Sequence, residues 1–149
     1  MLGSRLVGLI EGHSEQLSQG LVKKLCNSSR TPEFRKITPE ELAKAAHEIY
    51  SNLSDWLLTK TESDIELRYT GIGARRAGQG IPLPQLVWGF FISKEHLWAF
   101  LQREAMVEGP VEVFGELELV QLLDQFFDRA VYFAVNGYVE ATQRKTQAA

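Results

Sequence analysis

The chain has 149 residues, 44% hydrophobic and 23% charged, with a formal net charge of −3 and a pI near 5.6, values that suit a single domain over residues 1–149 built on one apolar core. The mild acidity argues against a dedicated nucleic-acid binder, whose surface is usually basic. No window holds the roughly 18–20 uninterrupted apolar residues of a membrane span, and "MLGSRLVGLIEGHSEQ" lacks the apolar run and small-residue cleavage site of a secretory signal.

Cys26 stands alone, which excludes an intrachain disulfide and a cysteine metal cage, so a cytoplasmic protein is expected. Leu6, Leu9, Ile10, Leu17, Leu21 and Leu25 recur at helical spacing and predict a first amphipathic helix. "CNSSRTPEF" breaks that pattern and is expected to be a loop. Thr38-Pro39-Glu40-Glu41 has the form of a helix start, with Thr38 as cap, Pro39 in the first turn and Glu41 at the capping-box position. The helix it opens carries Leu42, Ala45, Ala46, Ile49, Leu53, Trp56 and Leu57 on one side and is expected to end near Lys60.

A third helix, capped by Ser63 or Asp64, carries Ile65, Leu67, Tyr69 and Ile72 into a glycine-rich region. A fourth is expected from Pro82 and Pro84 to about Met106, and its centre, "LVWGFFI", is apolar nearly all round. Such a helix sits in mid-core or against a second subunit. "VEGP" is a stop signal, and a last helix is expected from Pro110 to about Lys145, with a wide stripe that includes Phe114, Leu117, Leu123, Phe127, Ala130, Ala134 and Tyr138. No strand alternation or repeat is present. The expected fold is all-α, a bundle of about five main helices, globin-like or up-and-down.

"YTGIGARRAGQGIPLPQLVWGFF" invites comparison with phosphate-binding loops. Gly71 and Gly73 supply the first two glycines of a dinucleotide fingerprint, but Arg76 occupies the place of the third. Gly73 and Gly78 have the spacing of a nucleotide-hydrolase loop, but Gln79 and Gly80 follow where Lys and Ser or Thr are required. The residues before the stretch are helical in pattern, not a strand. The simpler expectation is a helix–turn–helix junction. Gly71 and Gly73 let another helix approach closely, and Gly78 or Gly80 takes positive φ at the helix end. Pro82 holds Ile81 extended, and a proline opens the next helix. Arg75 and Arg76 in the last turn suit the helix dipole.

On the run that begins here, the chain resembles over nearly its whole length the N-terminal domain of bacterial stressosome proteins of the RsbR and RsbRD type. The elements that carry the resemblance are Gly73, Arg75, Arg76, Gly80, Ile81, Pro82, Leu83, Leu86 and the helix through Trp98. The earlier helix ending in Trp56-Leu57 and the long last helix fit in order and length. The resemblance implies a globin-like, dimeric, haem-free sensory or regulatory input domain that is not itself an enzyme. In the stressosome proteins a C-terminal STAS domain follows and binds downstream signalling partners. This chain stops at "ATQRKTQAA", either as a stand-alone module or as part of a longer regulator, and the absence of a glycine cap suits a helix that continues.

The remaining candidates are weighed from residue chemistry. His13 falls on the apolar face of the first helix, where a core or interface histidine is the simpler reading and a haem or metal ligand the sharper one. His96, in "SKEHLW", is the better-placed candidate haem ligand, although Lys94 and Glu95 suggest a solvent-exposed flank. His47 is expected at the surface. No Glu-x-x-His pair of a di-iron bundle is present, and no metal site is expected. Trp88, Phe91, Trp98, Phe126, Phe127 and Phe133 form the candidate ligand pocket or dimer interface, against the simpler reading of core packing. The expectation is a homodimeric, non-catalytic input domain that passes a signal along its last helix to a following or partner signalling domain. A haem- or small-apolar-ligand-binding globin-like sensor and a plain dimerisation scaffold stand as alternatives.

Overall fold

The computed structural model describes residues 4–104 and 110–148. Among the described residues there are six α-helices: α1 Ser4–Gly12, α2 Ser14–Asn27, α3 Pro39–Ser51, α4 Glu62–Gly78, α5 Leu83–Glu104 and α6 Pro110–Ala148. A 3₁₀ turn at Pro32–Lys36 and a π turn at Asp55–Thr59 stand between them. Among the described residues there is no strand, so the fold is all-α as the apolar spacing predicts. No helix among them is long and apolar enough to cross a membrane. Met106, the expected end of the fourth predicted helix, and the side chain of Phe114 lie outside the described residues.

The first predicted helix is two helices, broken at His13, whose backbone has φ −110° and ψ 19°. The break is invisible to spacing because Ile10 and Leu17 are two turns apart and keep one face through it. The second predicted helix is interrupted at Asn52 and runs on as a π turn to its expected end near Lys60. Asn52, with φ −123° and ψ 30°, ends α3, and Lys60 N–H then closes the π turn on the Asp55 carbonyl at 2.7 Å. The wider turn accompanies burial of both Leu53 and Trp56. The predicted loop after Cys26 holds the 3₁₀ turn, pinned by the Thr31 hydroxyl donating to the Leu25 carbonyl at 2.8 Å, with Phe34 buried beneath.

The cap of α4 also differs from expectation. Thr61, not Ser63 or Asp64, is the cap, and Asp64 sits at the third helical position. The Thr61 hydroxyl accepts from Asp64 N–H at 3.3 Å, and the Asp64 carboxylate accepts from Thr61 N–H at 2.8 Å. This is the reciprocal capping box. At α3 only half of one forms. The Thr38 hydroxyl accepts from Glu41 N–H at 3.2 Å, but the Glu41 carboxylate is engaged elsewhere.

The α4–α5 junction follows the glycine and proline pattern closely. Gly80 has φ +77°; its N–H donates to the Ala77 carbonyl at 3.1 Å, and Ile81 N–H donates to the Arg76 carbonyl at 3.1 Å. These two bonds are the Schellman helix end. Ile81 is fully buried, and its carbonyl accepts from the Tyr138 hydroxyl of α6 at 2.7 Å. Pro84 lies in the first turn of α5.

The buried apolar side chains form one cluster that draws on every α-helix. Its most intimate pair is α4 and α6. A Cβ on Gly73 would overlap the Ala134 carbonyl of α6, and a Cβ on Gly137 would overlap the Thr70 carbonyl of α4. The two backbones therefore touch, and each helix contributes one glycine to the crossing. Gly71, expected to serve the same purpose, is exposed with nothing within 4 Å of a Cβ.

Candidate ligand cavity between α3, α4, α5 and α6

A cavity of about 120 Å³ lies behind this crossing. Leu42, Ala46 and Ile49 of α3 supply apolar wall, Phe90 of α5 a further face, and Phe126 and Phe127 of α6 the floor. The aromatic rings pack edge to face. Tyr69 meets Phe126 at a centroid distance of 5.7 Å and 80°, and Phe126 meets Phe127 at 5.8 Å and 84°. Such contacts fix ring positions beyond what burial alone does.

Arg68, Tyr69 and Arg76 bring polar groups to the same wall from α4. Arg68 donates to the Ala45 carbonyl at 3.1 Å and pairs with Glu48 at 2.8 Å. Its guanidinium stands 5.5 Å from the Trp56 ring. Its Nε is buried with no hydrogen-bond partner. Arg68 also lines a more open surface groove with Glu48, Trp56, Lys60 and Arg75, and Ile72 likewise lines both. Burial pushes the Tyr69 hydroxyl up to about 12, against the opposing influence of Arg68. Burial raises the Tyr50 hydroxyl as well, and both phenols stay neutral.

Arg76 is almost wholly buried and shares the Glu41 carboxylate with Arg75. Arg75 makes two bonds to it, Nε at 2.8 Å and a terminal nitrogen at 2.6 Å. Arg76 donates to it at 2.6 Å and to the Gln79 side-chain carbonyl at 2.8 Å, while the Gln79 amide donates to Glu41 at 2.9 Å. The hydrogen bonds from Arg75 foremost, then those from Gln79 and Arg76, hold the Glu41 carboxyl far below the usual carboxylate range despite the opposing effect of burial. The cluster clamps the start of α3 to the end of α4, so Arg76 serves this buried network more than the helix dipole.

The six predicted aromatic residues separate. Phe126 and Phe127 line the cavity; Trp88, Phe91, Trp98 and Phe133 do not. Trp88 lies 4.5 Å beneath the Arg30 guanidinium and packs edge-on to Phe91 at 5.5 Å, which is 43% exposed. Trp98 and Phe133 are half-buried against the core. Neither histidine candidate lines the cavity. His13 is exposed, with Nδ1 2.8 Å from the Leu9 carbonyl. His96 is buried, not exposed as its neighbours suggest: Lys94 pairs with Asp124 at 2.9 Å, and one residue-step of about 100° per position turns His96 to the opposite side. Its Nε2 donates to the Leu17 carbonyl at 2.9 Å, and its Nδ1 is buried without a partner. Burial lowers its pKa against that hydrogen bond. His47 is at the surface as expected. Among the described residues no group of three or more His, Cys, Asp or Glu is placed to hold a metal ion.

The Schellman glycine Gly80 and the buried Ile81 join the arginine-ended α4 to α5, and both of these helices line the cavity. A family model described as the RsbT co-antagonist protein rsbRD N-terminal domain matches residues 15–149. The chain belongs to that family. The RsbRD N-terminal domain match begins in α2, so it includes every residue that lines the cavity and leaves α1 outside. No curated protein and no solved structure matches the chain. The RsbRD N-terminal domain family points to a stress-response signalling input domain, a regulatory class not known for catalysis. Arg68, Glu41 and Gly137 complete the site and are not signalled in the sequence. Each acquires its role from a residue more than twenty positions away.

Proposed function

We propose that the chain is the non-catalytic sensory and regulatory input part of a cytoplasmic stress-response signalling protein. It works as a homodimer and passes a signal along α6 to a partner or following signalling domain. The observation that carries this reading is the sharing of one cavity by two helices in backbone contact. Arg68, Tyr69 and Arg76 of α4 and Phe126 and Phe127 of α6 all line it, and Gly73 and Gly137 leave no slack between those helices. A close-packed pair responds to a change on one wall by shifting as a unit, because packed interfaces adopt discrete arrangements. A ligand or partner drives the shift only if it favours one arrangement over the other.

Support for self-association comes from apolar side chains left on the outer faces of α5 and α6. Phe91, Leu117, Tyr132 and Val139 are exposed, Tyr132 by 63%, and a two-fold contact between copies would cover them. Light scattering at micromolar concentration should give twice the chain mass of 16.8 kDa. A monomer would remove the dimer from the proposal. For the relay, a Gly137→Ala variant should alter amide exchange in the last turns of α6. A Leu6→Ala variant of α1 should leave those turns as in the parent. Equal exchange in both variants would contradict transmission through the α4–α6 contact.

A further inference from the structure

The cavity has the properties of an anion site with an apolar recess. Two guanidinium groups line its polar end, Arg68 and Arg76, each paired with a carboxylate that does not line it, Glu48 and Glu41. Among the described residues no aspartate or glutamate lines the cavity itself, so an incoming negative charge meets none of their carboxylates on its walls. Arg68 Nε is buried with no acceptor. Buried donors are almost always satisfied, and an unsatisfied one calls for a missing acceptor. The other walls are hydrocarbon and aromatic.

The volume limits the occupant. An engineered apolar cavity of about 150 Å³ holds a benzene ring, so the 120 Å³ here admits an apolar tail of about four to five carbons on the same scale. Access is built into the wall. Arg68 lines both the cavity and the surface groove, and its anchor on the groove side, Glu48, is half exposed. Ile72 lines both as well, so the two spaces adjoin along this face of α4.

We propose that this cavity binds a small amphipathic carboxylate, its oxygens on the Arg68 guanidinium and its short tail between Leu42, Ile49, Phe90 and Phe126. The inference names a ligand class for the sensory reading and rests on it. A tail here touches α6 through Phe126 while the head group holds α4 through Arg68, so occupancy spans the two helices joined at Gly73 and Gly137.

Titration calorimetry on the 149-residue chain tests this with propanoate, pentanoate, octanoate and the neutral pentanamide. Pentanoate should bind saturably; pentanamide should be at least about tenfold weaker, because a charge-assisted hydrogen bond is worth at least that factor, and octanoate weaker because its tail exceeds the cavity volume. Arg68→Met and the cavity-filling Ala46→Leu should each weaken pentanoate at least about tenfold, while Phe91→Ala, outside the cavity, should not. Methyl resonances of Leu42, Ile49 and Ile72 in the unaltered chain should shift with pentanoate, a readout independent of whether a variant folds. Three outcomes overturn the proposal: no saturable pentanoate binding, equal affinity for pentanamide, or methyl shifts confined to residues outside the cavity. Each is read without reference to dimer mass or α6 exchange, so failure here and failure of the sensory reading are separate results.

Discussion

Replacing Gly137 with alanine should destabilise the protein although alanine is the better helix former. A Cβ at this position would stand 2.8 Å from the carbonyl carbon and from the Cα of Thr70, where carbon–carbon contacts settle at about 3.5–4.0 Å. The obstacle is backbone, which cannot rotate away, so α4 and α6 must part by roughly 0.7–1.2 Å, and gaps of that order forfeit a quarter to a half of each dispersion contact across the seam. Overpacking of this kind costs about 1–3 kcal/mol, to which the lost contacts of Tyr69, Phe126 and Ala130 add. The helix-propensity gain returns about 1 kcal/mol. The net expectation is a loss of about 2 kcal/mol, or roughly 4–8 °C in Tm for a chain of this length. Urea unfolding followed by helical circular dichroism measures it, with Gly71→Ala as the matched control. Gly71 is exposed in the body of α4 with open space around it, so there the same substitution should stabilise by about 0.5–1 kcal/mol. If Gly137→Ala proves as stable as the parent, the close-approach reasoning fails. Gly73→Ala combined with Gly137→Ala should lose less than the sum, because one separation relieves both overlaps.

Two further predictions concern charge. Glu41→Gln leaves the buried Arg76 without its anion and should cost about 2–3 kcal/mol at neutral pH. The Glu41 carboxyl is held below its ordinary value near 4.5, so its contribution is complete above that pH and lost as pH falls below it; the acid limb of the stability profile should therefore be shallower in Glu41→Gln. His96 behaves in the opposite chemical sense. Burial disfavours the charged ring and sets its pKa in the folded chain below the 6.5 at which the unfolded chain takes up a proton. Its folded state thus binds fewer protons, and stability should fall as pH drops below about 6.5. Lys24 and Arg103 add to this. His96→Gln, whose amide can still donate to Leu17, should show a smaller difference in urea midpoint between pH 7.5 and 5.5 than the parent. An equal difference would refute this assignment.

Local signals were legible wherever they act on their own neighbours. Thr38-Pro39 opens a helix, Gly80 closes one, and Ile81-Pro82 forms the link between two, each through short-range bonds that residue type dictates. The helix break at His13 was hidden because an intact helix and a broken one can carry the same apolar face when the gap is two turns. Glu41 has the spacing of a capping-box acid, but two arginines and a glutamine some 34–38 positions away compete for its carboxylate and win. A charge-assisted bidentate pair is stronger than a bond to one backbone N–H. The burial of His96 is masked by its charged neighbours Lys94 and Glu95, because adjacent residues on a helix face different ways. Of the cavity, Phe126 and Phe127 could be named from their stripe, whereas Arg68 looks like any exposed helix arginine until the fold brings Ala45 and Glu48 to it.

The position of the glycine crossing along α6 has a mechanical consequence. At 1.5 Å per residue the 39-residue helix is about 58 Å long, and Gly137 divides it into arms of about 40 Å toward Pro110 and about 16 Å toward Ala148. A pivot near one end is a poor lever for that end: a tilt of about 5° moves the Ala148 tip by only about 1.4 Å but the Pro110 tip by about 3.5 Å. Rotation about the helix axis, or a slide along it, reaches both tips undiminished. Under the proposed relay, a message leaving through the last turns of α6 would be better carried as a screw or piston motion than as a swing.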